Sequence, residues 1–402
     1  MMLPAHDHHV GSAEGPMGAA VRLRVIALAL AGVVSGVSFE ARQAQQQQQG
    51  QQGQKPGVKG AAPAAKSKNP SEWPDDKTLA DRRKASEARQ LFQSDVPLEF
   101  TLTANFKAVS GDRNPNSTKT FPATIEFKKA DGTMAKIPLQ IRARGHARRQ
   151  ICAFPPLRLE LPKDQTKGTV FDGHGVLKLG THCPNTFEEY VRREYTAYKI
   201  NNLLTPKSFR ARLARATYVD ATNGKAQPVH DAMFIEDDDD VAKRLEGRIV
   251  DLKKLTYQRV EQDSLAMMTL FEYMIANTDV SLAALHNLVV VQTKTGLRYV
   301  VPYDFDYSGL VDAQYAVAGK DLGISSVRER LYRGPCKTAA EFEPFFARFR
   351  SVKPAVMALY DSPEMPQSYR NKAKSYLEEF YKTLDRPSEF KKTFVDTCKP
   401  YM

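Results

Sequence analysis

Long runs of basic residues are missing from this sequence, although 58 Lys and Arg stand against 46 Asp and Glu and the formal net charge is +12. No stretch of five or more Lys or Arg occurs, and no aromatic-spaced RNA-binding motif accompanies the basic residues. A dispersed basic excess is typical of a protein with a basic pI rather than of a nucleic-acid-binding face. We therefore expect no nucleic-acid partner.

Several familiar catalytic and metal motifs are also absent. The histidines form no HExxH pair, and no GxSxG elbow of a serine hydrolase is present. The four cysteines fit no paired CxxC zinc pattern. Trp73 is the single tryptophan and lies in a linker-like region, where it forms no sugar-binding platform. These absences argue against a zinc protease, a serine hydrolase and a zinc-finger protein.

The apolar run near the N-terminus, residues 25–37, is too short for a membrane span, which needs about 20 apolar residues. Arg22 and Arg24 precede it and small or polar residues follow, an order typical of a secretory signal. We predict a signal peptide over residues 1–44, with Met17 as an alternative start, and a disordered linker rich in Gln, Gly, Lys and Ala over residues 45–72. A single N-terminal membrane anchor is the alternative.

Export predicts a periplasmic or extracellular protein without stable membrane insertion after signal cleavage. In such a compartment an even number of cysteines favours disulfides. Four cysteines allow three connectivities, and we predict the pairs Cys152–Cys183 and Cys336–Cys398.

Hydrophobic periodicity predicts an α+β fold, with a β-rich N-terminal lobe over residues 73–240 and a helical C-terminal lobe over residues 241–402. A short helix is expected near residues 81–91. Period-two segments then predict antiparallel strands, a first long helix over residues 187–204 and a hairpin around Asn223 and Gly224. A buried helix ending near Asn277 precedes a second hairpin, and helices are expected after Gly309. The strand segments are LEFTLTANF, FPATIEF, KIPLQIRAR, PPLRLEL, GVLKLG, ARLARATYVD, DAMFIED and NLVVVQTKTGLRYVV.

The segment from Asn277 to Gly309 carries the strongest chemical signal, because polar residues stand at the ends of apolar elements. The hairpin returns the chain to its start, which brings Asn287 close to Asp304. Phosphoryl transfer needs a carboxylate for the attacking hydroxyl, together with an amide oxygen and a second carboxylate for Mg²⁺ or Mn²⁺. Asp279 fits the first role, Asn287 and Asp304 fit the others, and Asp306 is a further candidate ligand. Turn or cap residues are the plainer interpretation of these positions.

These residues, read as NTD…HN…YVVPYDFDYSG, resemble the catalytic segment of the CotH kinase-like family and, more loosely, HipA-type and secretory-pathway kinases. RARGHARR followed by PPLRLEL is similar to the RGN-type strand–turn–strand of CotH-like proteins, with His146 in place of Asn. The resemblance implies a two-lobed protein-kinase-like fold that uses ATP with Mg²⁺ or Mn²⁺. It assigns the catalytic base to Asp279 and the metal to Asn287 and Asp304. No GxGxxG loop is present.

The same template suggests nucleotide contacts in the N-terminal lobe. Lys178, on a strand before the first long helix, would reach phosphates and pair with Glu189 or Glu194. Arg142 and Arg144 belong to a basic turn that suits phosphate. The junction near Glu236 would contact adenine through its backbone. The alternative interpretations are that Lys178 is a surface lysine, that the basic turn is a solvated edge of the sheet, and that the acidic residues near Glu236 only begin a helix.

The sequence thus predicts an exported kinase-like protein that moves the γ-phosphoryl group of ATP to a hydroxyl of an unknown protein or small-molecule acceptor. One alternative is a non-catalytic pseudokinase acting as an envelope or surface interaction module. Another is a metal-dependent hydrolase using the same carboxylates.

Overall fold

The structure, a computed structural model, describes residues 72–183 and 188–398. The predicted signal peptide and all but the last residue of the predicted linker lie outside the described residues. Within the described ranges, no helix combines the length and the apolar character needed to cross a membrane.

Seven strands of the N-terminal half close into a barrel with the order β1-β2-β3-β4-β5-β7-β6. Neighbouring strands pair antiparallel, except that β1 and β6 run parallel and close the barrel. The strands are β1 (Leu98–Ala104), β2 (Phe121–Lys128), β3 (Met134–Ala143), β4 (Leu157–Glu160), β5 (Val176–Thr181), β6 (Ala211–Asp220) and β7 (Ala226–Ile235).

Alternating side chains explain why these segments form a barrel. Along β1, every second residue is buried, and β2 shows the same pattern, so one face of each strand fills the barrel interior. Phe100, Phe127 and Phe234 belong to the core inside the barrel. Gly180 permits a close approach on β5, because a Cβ there would lie 2.9 Å from Cγ of Met233.

The helices lie largely in the C-terminal half. They are α1 (Asp76–Glu87), α2 (Phe106–Gly111), α3 (Ala147–Ile151), α4 (Glu188–Leu204), α5 (Asp238–Arg244), α6 (Gln262–Ile275), α7 (Ala339–Ala358), α8 (Gln367–Asp385) and α9 (Pro387–Phe390). A second sheet has the order β10-β9-β8, formed by β8 (Gly247–Ile249), β9 (Leu288–Thr293) and β10 (Arg298–Pro302).

A second core joins the barrel wall to the helices. Met233 and Ile235 of β7 belong to this core, whereas Phe234 between them belongs to the barrel core. Successive side chains of a strand point to opposite faces, so β7 is a wall shared by both cores. Helices α4, α6, α7 and α8 supply most of the remaining side chains of the second core.

The predicted α+β class and both predicted hairpins are confirmed. Three local expectations differ from the structure. The first helix covers Asp76–Glu87 rather than residues 81–91. Asn105 ends the first strand early, because its side chain caps the short helix α2. Residues 310–338 contain only the short 3₁₀ helix Lys320–Leu322 instead of longer helices, and glycines and a proline punctuate this stretch.

Candidate functional site

The ends of helix α6 and of the β9–β10 hairpin meet at one place. Helix α6 stops at Ile275 because Ala276 adopts a left-handed conformation, with φ of 52°. The chain then passes Asp279 and forms an isolated bridge between Ser281 and His286 before β9 begins. The backbone N–H of Tyr303 donates to the carbonyl of Asn287 at 2.9 Å, which sets Asp304 next to Asn287. The sequence prediction that the hairpin brings these residues together is confirmed.

Asp279 is held by its neighbours on several sides. The side-chain N–H₂ of Asn287 donates to the Asp279 carboxylate and to its carbonyl, each at 2.9 Å. His286 Nε2 lies 3.3 Å from the other carboxylate oxygen, and Asn277 accepts from the Asp279 backbone N–H at 3.1 Å. The contact with Asp279 raises the pKa of His286. The Asp279 carboxylate is therefore fixed in place, yet its side chain remains 39% exposed.

Arg148 of the short helix α3 lies at the centre of three carboxylates. Its guanidinium is 2.7 Å from Asp304, 3.3 Å from Asp306 and 3.3 Å from Glu194 of helix α4. The hydroxyl of Tyr315 donates to Asp306 at 2.8 Å. This cluster joins the barrel, the first long helix and the hairpin through charged contacts.

Burial and charge act differently on the three carboxyls. Burial raises the pKa of Glu194 to about 8 and that of Asp306 to about 6, against the opposing effect of Arg148. Burial also acts to raise the pKa of Asp304, but Arg148 and Arg144 together bring that pKa below its usual value. The pKa of Arg148 is raised, because the three carboxylates outweigh its burial. At neutral pH Asp304 is therefore ionised and Asp306 largely so, whereas Glu194 is mainly protonated.

Backbone strain concentrates in the same stretch. Among the described residues, six non-glycine positions have positive φ, and five of them fall between Ala276 and Asp312. Asn287 has φ of 55° and Asp304 has φ of 64°. Asn and Asp tolerate this conformation better than most residues, and such residues cluster at functional sites. This backbone conformation sets the direction of both side chains, one just before the hairpin and one just after it.

Lys178 of strand β5 lies beside the centre but does not pair with the expected helix carboxylates. Its ammonium group binds Asp238 and lies 4.6 Å from the centre of the Phe209 ring and 5.0 Å from that of Tyr303. Burial lowers the pKa of Lys178, and the charge of Arg144 adds to this effect. Glu189 pairs with Arg193 at 2.6 Å instead, and Glu194 pairs with Arg148.

Of the remaining residues predicted to contact the nucleotide, one lies near Asp304 and Lys178 and two have other partners. Arg144 is close enough to act on the charges of Asp304 and Lys178. Arg142 instead faces Glu160 at 3.8 Å, on the β3–β4 pair. The Glu236 carboxylate is buried and receives two N–H donors of Arg244, each at 2.8 Å. The backbone N–H of Glu236 is also engaged, since it donates to the carbonyl of Arg210 at 3.0 Å.

A disulfide fixes the helix that carries Arg148. Cys152 follows helix α3 directly and is bonded to Cys183, which follows strand β5, with 5.0 Å between their Cα atoms. The second disulfide joins Cys336 to Cys398. Both predicted pairs are confirmed, and two disulfides fit an exported protein.

Sequence analysis missed the central role of Arg148 and the contacts of Tyr315, Tyr198 and His286. Tyr198 accepts a hydrogen bond from the backbone N–H of Asp304 at 3.0 Å. Arg148 stood in the recognised basic turn, but nothing in its spacing distinguishes it from Arg142 and Arg144. Its partners are 46 and 156 positions away in the chain.

Oxygen donors for a cation are present but few. Among residues 72–183 and 188–398, no group of three or more His, Cys, Asp or Glu side chains is arranged around a metal position. Asn287 keeps its amide oxygen free of the contacts to Asp279, and Asp304 uses one carboxylate oxygen for Arg148. Mg²⁺ in proteins is commonly held by one or two carboxylates together with substrate phosphates, so these residues fit such an ion.

Comparison of the chain with models of known protein families finds no match, and comparison with curated protein sequences finds none either.

Proposed function

We propose that this chain is an exported, kinase-like phosphotransferase of the CotH type, which transfers the γ-phosphoryl group of ATP to a hydroxyl of a protein or small molecule. In this proposal the barrel serves as the N-terminal lobe of a two-lobed fold and the helices serve as the C-terminal lobe. The observation that carries it is the convergence of three residues. The side chain of Asn287 donates to the Asp279 carboxylate. The carbonyl of Asn287 accepts from the backbone N–H of Tyr303, the residue before Asp304.

Asp279 acts on the acceptor hydroxyl in this proposal. Its carboxylate is fixed by Asn287 and His286 but remains partly exposed, so an incoming hydroxyl can donate to it. Transfer to an oriented hydroxyl needs positioning above all, since little covalent chemistry is left to the protein. The hydrogen-bonded carboxylate orients the hydroxyl and takes its proton as the new oxygen–phosphorus bond forms, while the bond from the γ-phosphorus to the bridging oxygen breaks and ADP leaves.

Asn287 and Asp304 would hold Mg²⁺ or Mn²⁺, with Asp306, two residues after Asp304, as a further candidate ligand. These residues would place the positive charge of a bound metal where the phosphates of a nucleotide need it. Lys178 and Arg144 add two further cations on the barrel side of the centre. Lys178 must exchange its contact with Asp238 for phosphate when the nucleotide enters.

A second candidate function is favoured by Arg148. Its guanidinium already neutralises Asp304 and Asp306, which are the carboxylates that a metal needs. An arginine fixed in this way builds a stable charged cluster without metal or nucleotide. The chain would then be a non-catalytic interaction module of the envelope or cell surface.

Thermal unfolding of the purified mature chain with ATP and either Mg²⁺ or Mn²⁺ distinguishes the two candidates. Specific binding stabilises the native state by about 2.7 kcal/mol at a hundredfold excess of ligand over the dissociation constant. We expect a metal-dependent rise of the melting temperature in the wild type and its loss in Asp304→Asn. Asp312→Asn is the matched control, since Asp312 also has positive φ and pairs with an arginine, Arg328, outside the centre.

Asp279→Asn separates binding from transfer. This variant should keep the nucleotide-dependent stabilisation and lose phosphoryl transfer to the acceptor or to water by about a hundredfold or more. Equal transfer by Asp279→Asn and wild type would remove Asp279 from the mechanism. The absence of any nucleotide-dependent stabilisation in the wild type would favour the non-catalytic module.

A further inference from the structure

A small cavity lies between helix α4, the segment that follows Gly309 and helix α8. Its volume is about 90 Å³. A water molecule takes up about 30 Å³ of the liquid, so the cavity has room for a single small ion such as phosphate. Ser368 and Lys372 of helix α8 line it and are exposed, so it opens to solvent at this edge. The residues of the proposed reaction centre are not on its lining.

Positive charge predominates around this cavity. Arg193, Arg328 and Lys372 line it, and Asp312 is the single carboxylate among the described residues of the lining. Glu189 pairs with Arg193 at 2.6 Å from outside the lining, so cations still outnumber carboxylates by three to two. The ammonium group of Lys372 has no ion pair or hydrogen bond within the part of the chain that the structure describes. Such a surplus of positive charge favours an anion.

The guanidinium group of Arg328 has donors to spare. Both of its hydrogen bonds leave from Nη1, one to the carbonyl of Gly309 at 3.2 Å and one to the carboxylate of Asp312 at 3.1 Å. Among the described residues, its Nε and Nη2 atoms have no hydrogen-bond acceptor. Two neighbouring N–H groups of an arginine can bind two oxygens of one phosphate group side by side.

Tyrosine rings hold both arginines of the cavity. The guanidinium carbon of Arg193 lies 4.0 Å from the centre of the Tyr369 ring, and that of Arg328 lies 4.7 Å from the centre of the Tyr376 ring. Both tyrosines also line the cavity. Because the two guanidinium groups are already ordered, less conformational freedom is lost when an anion binds to them.

We propose that this cavity binds a phosphate group, held by Nε and Nη2 of Arg328, by the ammonium group of Lys372 and by the hydroxyl of Ser368. Arg193 adds positive charge, and Asp312 keeps its place on Nη1 of Arg328. The group belongs either to inorganic phosphate or to a phosphorylated side chain, since the open edge leaves space for the rest of such a ligand. The inference is independent of the proposed phosphotransferase activity.

Calorimetric titration of the full chain with inorganic phosphate tests the site. Sodium chloride keeps the ionic strength constant, and the solution contains no divalent metal, which separates this site from metal-dependent nucleotide binding. We expect saturable binding of one phosphate per chain with a dissociation constant of about 1 mM or below, as two or three charge-assisted hydrogen bonds predict.

Lys372→Gln removes one charge from an exposed position and should weaken phosphate binding by about tenfold. Lys374→Gln is the matched control, because Lys374 lies on the same helix, pairs with Asp361 and is outside the cavity lining. It should bind phosphate like the wild type. Arg328→Lys keeps the charge but removes the pair of neighbouring donors, and should weaken binding by about fivefold or more.

The two sources of the phosphate group are separated by titration with the N-acetyl amide of O-phosphoserine. Tighter binding of this compound than of inorganic phosphate assigns the site to a phosphorylated side chain, and weaker binding assigns it to the free ion. The same compound without its phosphate should not bind. The proposal is overturned if the wild type shows no saturable phosphate binding, or if Lys372→Gln and Arg328→Lys bind phosphate as tightly as Lys374→Gln.

Discussion

Arg148 brings a permanent positive charge among three carboxylates, and its side chain is only 10% exposed. Removal of one partner from a buried charge cluster costs about 3–5 kcal/mol, because the remaining charges lose their compensation. We expect Arg148→Met to lower the free energy of unfolding by that amount, measured by urea titration at neutral pH. Arg158→Met is the control. Arg158 pairs with the half-exposed Glu160 at 3.4 Å, so its loss should cost less than about 1 kcal/mol.

The loss in Arg148→Met should also grow with pH. Glu194 and Asp306 have folded-state pKa values of about 8 and about 6, above those of the unfolded chain, so the native state retains their protons. The stability from such groups is fully present below about pH 4 and is lost as the pH rises toward the folded-state pKa. Without Arg148 the folded-state pKa values rise further, which steepens this loss. Equal destabilisation at about pH 5 and about pH 8 would contradict the assigned role of Arg148.

At the scale of single residues, the sequence predicted contacts between the two ends of a hairpin. It did not predict contacts between side chains that are far apart in the chain. Asn287 and Asp304 could be placed together because a hairpin returns the chain to its start. Arg148 could not be matched to Asp304, since 156 positions separate them and three other arginines lie in the same turn. Lys178 pairs with Asp238 at the start of helix α5 rather than with Glu189 or Glu194 of helix α4, and this pairing depends on where strand β5 lies relative to the two helices.

Local sequence patterns predicted the strands and helices, but they did not predict that seven of the strands close into a barrel. Period-two alternation located the strands, and Asn223 with Gly224 located the turn between β6 and β7. The barrel is closed by parallel pairing of Leu98 with Ala214 and their successors. No turn or spacing in the sequence signals a parallel pair this far apart. The capping of α2 by Asn105 was missed for another reason, since a polar residue after a strand also fits an extended continuation.

The two disulfides stabilise different elements and can be separated experimentally. Cys152–Cys183 closes a sequence separation of 31 residues and Cys336–Cys398 one of 62, so loss of either should cost roughly 3–4 kcal/mol by chain entropy. Only the first pair anchors helix α3. We expect the double Cys→Ala variant of the first pair to lose amide-exchange protection in Ala147–Ile151 far beyond its global destabilisation.

The second pair provides the control for this measurement. Its double Cys→Ala variant should be destabilised to a similar extent, while Ala147–Ile151 exchanges only as fast as global unfolding allows. If both variants show the same exchange in helix α3, the first disulfide does not position Arg148.

On the scale of the whole chain, the barrel and the helices share a wall. Phe234 of β7 fills the barrel, while Met233 and Ile235 on the opposite face pack into the core formed with α4 and α6. If β7 detached, both cores would be exposed to solvent. The predicted boundary between lobes at residue 240 therefore divides the sequence at a place where the packing is continuous.

This shared strand predicts that the described part of the chain unfolds as one unit. Phe349, fully buried in the helical core, and Phe127, 1% exposed in the barrel core, provide a matched pair for substitution. Each Phe→Ala change should cost about 3–5 kcal/mol.

Trp73, whose ring lies 4.3 Å from the guanidinium of Arg248, reports the N-terminal segment by fluorescence, and far-ultraviolet circular dichroism reports the helices. In urea both signals should change together in the wild type, and Phe349→Ala should shift both midpoints as far as Phe127→Ala does, because coincident transitions are the mark of two-state unfolding. Separate midpoints, or a shift of only one signal in Phe349→Ala, would show that the described part of the chain does not unfold as one unit and that β7 does not couple the two cores.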